Sequence, residues 1–420
     1  MEAKELKSRQ RLLEVIKSQD VYLYGVGIYG KMLYSFLKEH GVVVKGFYVS
    51  NINQIEIGIK EYVCAIDEYK KGLILIAVSE IYKKEIIDEL EKRHIIDFYS
   101  ISENLYKDIE KKTNYKYSIS RKASVQILYY HRILDEKKDF WQLNTNIDTF
   151  REHIKMLSSM FNIVSFDDDW DNINEESICI TFDDGYCDNY YNALPILEEY
   201  KVPATIFVST DMLNTGKPMW WDELENNIIW CSNTDSVIYM DKVYSLKNLE
   251  EKQKACMEIR NSLRFLEPGV RKKLMENLKN NIYMDTEETN LCRILNIDEL
   301  RKLASSEYIS IGCHTKSHIS LGKISESVIM EEVLESKKIL ESILGYEITN
   351  FSYPYGQKED FSMKSEECLK IAGIKKAVTT LSGLVYADTD LLSLPRQFAG
   401  NVKAVELERI LRKKWCIAAK

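Results

Sequence analysis

The sequence predicts an α/β protein of two parts, a small parallel α/β domain followed by a larger, barrel-like α/β domain. Three observations predict it. At 420 residues and 49.1 kDa the chain is longer than one compact domain usually is. Short apolar runs alternate with helical patterns along most of its length. A polar stretch over residues 106–124, ending KDIEKKTNYKYSISRKAS, has little to bury and divides the alternation in two.

The first part reads in order as a helix over about 3–18, the strand VYLYG, a helical stretch to Glu39, VVVKGFYV, the strand LILIAV and the helical IYKKEIIDELEKR. This predicts a domain over 1–105 with three or four parallel strands, a linker over 106–124, a barrel over 125–400 and a helix over 401–420. In the barrel, VQILYY, NIVSF, ICITF, ATIFVS, YISIG, ITNFSY and KKAVTT read as strands, with helical text between most of them. The rhythm breaks over about 220–296, where helical text surrounds a hairpin pattern, SVIYMDKVYSL; this reads as an insertion. The closing LERILRKKW is a basic amphipathic helix, read as packed, with contact to anionic lipid as the alternative.

Composition narrows the class. With 45% hydrophobic and 29% charged residues, 6 Pro and 17 Gly, disordered and collagen-like architectures are excluded. Residues 1–120 hold 19 basic and 18 acidic side chains, so the rest of the chain carries a net −9. A nucleic-acid partner needs clustered positive charge, so neutral or cationic substrates fit better. Nine cysteines without a CxxC pair signal neither a disulfide framework nor a zinc ribbon. The charged N-terminal text lacks the apolar core of a secretory signal, and Leu73–Val78 is too short to span a bilayer, so the expected location is cytoplasmic.

Gly25, Gly27 and Gly30 form GxGxxG between a predicted strand and a predicted helix. Such glycines permit a tight turn, approach of a pyrophosphate and close helix packing. The acid expected on the ribose at the end of the second strand is missing, because Phe47–Asn51 offers none. The segment resembles the small Rossmann-like modules at the front of some surface-glycan biosynthesis proteins. Nucleotide or nucleotide-sugar binding stands beside a purely structural or docking role.

Two clusters carry chemistry. Asp183 and Asp184 end the apolar run ICITF and precede Gly185, so one carboxylate can bind a metal while the other reaches past it. His314 and His318, in IGCHTKSH, share a face if helical and converge on one ion if they lie in a loop. Two imidazoles and a carboxylate suit zinc or a similar divalent ion with a position open for water.

TFDDGY (Thr181–Tyr186), HTKSH (His314–His318) and SYPYG (Ser352–Gly356) resemble, in order, the first three motifs of the polysaccharide deacetylases, the NodB-type carbohydrate esterases. WWDEL (Trp220–Leu224) resembles a segment of members with a helical insertion. The resemblance implies a deformed (β/α) barrel of about seven units. By position it implies Asp184, His314 and His318 as metal ligands, Asp183 as general base and the backbone N–H of Tyr355, beside Pro354, at the oxyanion.

Two departures stand out. The late histidine that protonates the leaving group in the family is absent, since no histidine follows His318; His131, in LYYHRI, is the substitute. The arginine expected before the proline motif is Ser352, and Arg396 in LSLPRQF is the candidate replacement, a surface salt bridge being the other reading. Trp220 and Trp221 could stack on a sugar or belong to the core. Asp222 could bond a sugar hydroxyl or cap the following helix. His40, His94 and His153 receive no role.

The expectation is a metal-dependent hydrolase, with zinc as the expected ion, removing an N-acetyl group from an amino sugar in a glycan or glycan precursor. Its rivals are an O-deacetylase and a weakened, deacetylase-fold binding protein governed by a nucleotide-binding front module. A cytoplasmic location would point to a nucleotide- or lipid-linked precursor. Oligomeric state is not legible.

Overall fold

The computed structural model describes residues 4–17, 19–25, 28–49, 63–69, 71–78, 80–110, 124–170, 173, 175–231, 234–280, 293–386 and 389–418. The chain divides into two compact units, residues 1–120 and 121–420.

The first unit contains β1 (Glu5–Leu6), α1 (Arg9–Val15), β2 (Val21–Tyr24), α2 (Ile28–Glu39), β3 (Val44–Val49), β4 (Val63–Ala65), β5 (Leu73–Ile76), α3 (Glu80–Lys92), β6 (Phe98–Ile101) and α4 (Glu103–Glu110). Its strands form a six-stranded parallel sheet in the order β1-β6-β5-β2-β3-β4. Leu23, Leu73 and Leu75 pack against Leu33, Phe36 and Leu37 of α2 to make the core. Six strands exceed the three or four expected because β1 and β4, two and three residues long, are too short to leave a periodic signature. The first helix is shorter than expected because the Ser8 hydroxyl accepts from the Arg11 N–H and caps it there. Residues 106–110, read as the start of a linker, belong to α4, which buries Tyr106 and Ile109.

In the second unit, β7 (Val125–Tyr130) is followed by β8 (Arg132–Ile133), β9 (Asn144–Thr145), α5 (Ile147–Met160), β10 (Asn162–Ile163), β11 (Ser177–Phe182), α6 (Leu194–Tyr200) and β12 (Ala204–Val208). After an inserted segment come α10 (Ile297–Ala304), β15 (Ile309–Cys313), α11 (Glu326–Leu344), β16 (Asn350–Ser352), α12 (Met363–Ile371), β17 (Lys376–Val378), β18 (Arg396–Phe398) and α13 (Ala404–Ala418). Seven strands run in the order β17-β16-β15-β12-β11-β7-β18, all parallel, with β10 added beside β11. A single parallel bridge, Val378 to Leu394, links β17 to the residues just before β18 and nearly closes the ring. This is the deformed barrel of about seven units that the sequence predicts. Every residue of β11 and β12 is buried, as strands covered on both faces require.

The insertion holds α7 (Trp220–Ile228), the hairpin β13 (Ser236–Tyr239) and β14 (Lys242–Ser245), α8 (Leu249–Leu263) and α9 (Pro268–Asn280). Met240 and Asp241 both take positive φ at the hairpin turn. The insertion has its own core, including Leu224, Ile228, Cys256, Ile259 and Leu263.

The terminal helix α13 buries Leu407, Leu411 and Trp415, and the Trp415 indole donates to the Ser124 hydroxyl; this face is occupied by packing. Among the described residues, six cysteines are buried free thiols. No described helix is long and apolar enough to cross a membrane.

Candidate active site

The barrel register gathers the motifs at one end. Phe182 pairs with Tyr130, so Asp183 and His131 emerge side by side from adjacent strands β11 and β7. Cys313 pairs with Val208 and with Phe351, which brings His314 and Ser352 to the same rim. All leave the carboxyl ends of parallel strands, where α/β barrels collect their chemistry. A cleft of about 290 Å³ opens there, and Asp183, Asp184, His131, His314, His318 and Tyr355 line it.

The backbone at this rim is unusual. Asp184, Thr315, His318 and Tyr355 all have positive φ, between 54° and 74°, a region that costs non-glycine residues free energy. His314 and His318 lie on a loop, so of the two sequence readings they converge rather than share a helical face.

Asp183 lies 2% exposed at the bottom of the cleft. Arg396, 1% exposed, donates to both its oxygens, at 2.9 and 2.6 Å. The same guanidinium donates to the Thr181 and Ser352 hydroxyls and to the Thr379 carbonyl. Burial alone would raise the Asp183 pKa, but Arg396 and its neighbours more than offset this and hold the carboxyl below its usual range. The pair is a buried one, so the surface salt bridge considered from the sequence is not what Arg396 makes.

One carboxylate oxygen of Asp184 and one ring nitrogen of each histidine lie within 4.8 Å of one another. The Asp184 Oδ1 sits 3.4 and 3.2 Å from the Nε2 atoms of His314 and His318, and no hydrogen bond satisfies it although it is fully buried. His314 Nδ1 donates to the Ser352 carbonyl at 2.7 Å, so in the neutral ring the lone pair lies on Nε2, toward Asp184; burial lowers the His314 pKa but Asp184 and Asp183 more than offset this and raise it. Burial pulls His318 down to about 4 against the attraction of Asp184, so its ring is neutral, the form that ligates metal. An orphaned buried carboxylate oxygen facing two imidazole nitrogens fits a divalent cation with N/O preference.

His131 faces the same cleft, its ring edge-on to Tyr129 and Phe398 and its Nδ1 buried without a partner. Burial lowers its pKa, opposed by Asp184 and Asp183. The Tyr355 N–H makes no hydrogen bond among the described residues, and the strained φ of 62° at Tyr355 is held by a tight turn in which Gly356 N–H donates to the Pro354 carbonyl. Pro354 is buried and does not line the cleft; it shapes that turn.

The WWDEL residues separate. Trp221 reaches the cleft wall, its ring 4.4 Å from that of His318 and its indole N–H on the Tyr186 hydroxyl. Trp220 instead lines a neighbouring cavity of about 490 Å³, under Arg271. Asp222 is not the helix cap and does not line the cleft. It is 6% exposed, accepts from Tyr186 and lies 3.7 Å from Arg132, while Met219 occupies the N-cap position of α7.

Sequence reasoning passed over Tyr129, Trp141, Arg260, Arg264, Gln357 and Thr380, which also line the cleft. Arg260 on α8 and Arg264, its C-cap residue, arrive from the insertion, and nothing in their local sequence separates them from solvent-facing helix charges.

At the front glycine motif, Gly25 has φ +111° and a side chain there would meet the Ala77 carbonyl at 2.7 Å. A side chain at Gly30 would meet the Gly25 carbonyl at 2.1 Å. The Gly25 contact is with the chain just after β5, and the Gly30 contact is between the first turn of α2 and the turn after β2. Gly27 lies outside the described residues.

A family model described as polysaccharide deacetylase matches residues 171–264 and 276–375. The chain is 23% identical over 223 residues to YxkH of Bacillus subtilis (strain 168), whose provisional name is polysaccharide deacetylase; the match covers 53% of this chain and 51% of that protein. The chain therefore spans about half the length of that curated relative. Among solved structures it is similar to the Streptococcus pyogenes deacetylase PplD in complex with acetate, at 18% identity over 69% of this chain and 98% of that one, TM-score 0.47. It is also similar to IcaB from Ammonifex degensii, at 16% identity over 70% and 97%, TM-score 0.45.

Proposed function

We propose that the second unit is a polysaccharide deacetylase barrel, as the family model matched over residues 171–264 and 276–375 supports, and that it hydrolyses the N-acetyl group of an amino sugar in a glycan or glycan precursor. The observation that carries this reading is the pairing, in one cleft, of a metal-fitting group, Asp184, His314 and His318, with a second aspartate kept ionised by Arg396. Neither feature alone selects hydrolysis; together they offer an electrophile site and a proton acceptor within one small volume.

Asp184, His314 and His318 would hold the ion, zinc by ligand type, which when bound supplies Lewis-acid polarisation of water and of the acetyl carbonyl. Asp183 takes the proton of the attacking water. Arg396 keeps that carboxylate charged and fixed in orientation, so it needs no rearrangement at the moment of reaction. The unpaired Tyr355 N–H donates to the carbonyl oxygen as negative charge develops on it. His131, acting from its imidazolium form, which the neighbouring Asp184 and Asp183 favour against burial, delivers its proton to the amide nitrogen as the carbon–nitrogen bond breaks, and acetate and a free amine leave. Its place in the cleft beside Asp183 supports this in a chain that has no later histidine.

The test is acetate release from N-acetylglucosamine oligomers by metal-loaded protein. Asp183→Asn removes the proton acceptor while sparing the ligand set, and should lose on the order of 10²–10⁴ in kcat. Full activity in that variant would sink the assignment.

A further inference from the structure

Among the described residues that line the cleft, one cation has no counter-charge. Arg264 donates to Asp360 at 2.5 Å and to Glu359 at 3.2 Å, so its charge is spoken for. Arg260, one helical turn earlier on α8, makes no hydrogen bond and no ion pair among the described residues, yet it lines the same cleft and is only partly exposed. Its guanidinium carbon lies 5.1 Å from the ring centroid of Trp141 and 5.6 Å from that of Tyr355. Two aromatic rings hold the planar group, which leaves its N–H donors for a partner.

No protein anion in the cleft is free to serve. Asp183 is taken by Arg396, Asp184 is turned toward His314 and His318 in the metal-fitting group, and Asp360 is taken by Arg264, the Ser320 hydroxyl and the Gln357 N–H. A second donor stands close by, because the Tyr355 hydroxyl is buried and also has no partner. A buried hydroxyl without a partner is unfavourable unless something from outside completes it, and the half-buried guanidinium beside it has donors to spare for the same group. The net −9 of residues 121–420 argues against long-range attraction of anions, but recognition at contact distance depends on the local charge.

We propose that Arg260, with the Tyr355 hydroxyl, binds an anionic group, a carboxylate or phosphate, carried on or next to the acetamido sugar. The preferred substrate is then a charged glycan or phosphate-linked precursor rather than a neutral chitin-like chain. This rests on the deacetylase reading and adds the substrate class to it.

The experiment compares three probes on the full, metal-loaded chain: N,N′-diacetylchitobiose, which is neutral, N-acetylglucosamine 1-phosphate, and a disaccharide containing N-acetylmuramic acid. At least one anionic probe should exceed the neutral one by about tenfold in kcat/KM, the size of one charge-assisted contact. Which one does so distinguishes phosphate from carboxylate. In Arg260→Gln that ratio should fall toward one through KM, and Arg260→Lys should recover part of it; Lys also carries the comparison if Gln does not fold. Calorimetric binding of the two anionic probes to Asp183→Asn protein, with and without the Arg260 substitution, is independent of turnover. If no probe releases acetate, the deacetylase reading fails, and this binding still decides the role of Arg260. Equal anionic and neutral rates, or affinity unchanged by removing Arg260, overturns the proposal.

Discussion

Arg396 clasps both carboxylate oxygens of Asp183 inside the barrel and, with the same nitrogen that meets Oδ2, donates to the hydroxyl of Ser352. Ser352 occupies the place where the resembled motif has an arginine. The cation therefore reaches the aspartate from β18, the strand on the other side of β7, and the serine left behind has become one of its hydrogen-bond partners.

Removing that cation should strand a buried anion. Arg396→Met is expected to cost about 3–5 kcal/mol of stability, and Arg396→Met with Asp183→Asn should recover much of it, because the double variant has no unpaired charge. Denaturant unfolding of the two single variants and the double one measures the coupling. Additive losses would show that the pair is not interacting as described.

Metal should stabilise as well as activate. The buried, unsatisfied Asp184 Oδ1 faces His314 and His318, so chelation leaves an uncompensated polar cluster in the rim. At a free ion concentration of 1,000 Kd the ion contributes about 4 kcal/mol. Chelator-treated protein should melt at a lower temperature and recover on adding zinc, whereas His318→Ala should show little response. A response of equal size in His318→Ala would remove His318 from the ligand set.

How much of this was legible in the sequence depended on whether a residue is fixed by its own segment or by another. The ends of β11 and β15 announce themselves, because a largely buried strand followed by DDG or by HTKSH is a local signal, and the register of parallel strands does the rest. Arg396 could be named only as a candidate, since its partner lies 213 residues away. The partner of Asp222 was not legible either, since the Tyr186 hydroxyl that donates to it lies 36 residues away. Arg260 left no trace at all: its meaning comes from α8 folding over the cleft, and the sequence of α8 is that of an ordinary charged helix. The two shortest strands of the first sheet were invisible for the opposite reason, having too few residues to carry a period.

Acid should find a weak point at the start of α10. Glu299 accepts two bonds from Arg293, one from the Tyr191 hydroxyl and one from the Asn296 N–H in a capping box. Burial would raise its pKa, but Arg293 and these donors hold it down at about 2. The folded value is depressed, so the stabilisation is complete above the ordinary value of 4.5 and is lost as the pH falls toward about 2. Glu299→Gln should cost about 1.5–3 kcal/mol at neutral pH and narrow its gap to the parent protein across that window. Urea midpoints at pH 7, 4 and 3 check it; a gap that stays constant with pH would mean the carboxylate charge is not what stabilises.

The front glycines offer a test that separates packing from ligand binding. Gly30 lies at the start of α2, where a Cβ would stand 2.1 Å from the Gly25 carbonyl, a backbone atom that cannot rotate away. Gly41, just beyond the same helix, has φ +71° and open space around it. Alanine at Gly41 pays only for the left-handed backbone, about 1–2 kcal/mol. Alanine at Gly30 must push α2 off β2, so its cost should exceed that of Gly41→Ala by more than about 1 kcal/mol, in the range of overpacked cores. The comparison needs no ligand: thermal unfolding of the two variants in ligand-free buffer gives the order. If Gly30→Ala were as stable as the parent, close packing would no longer explain the third glycine, and the approach of a bound phosphate would become the better account of its place in the turn.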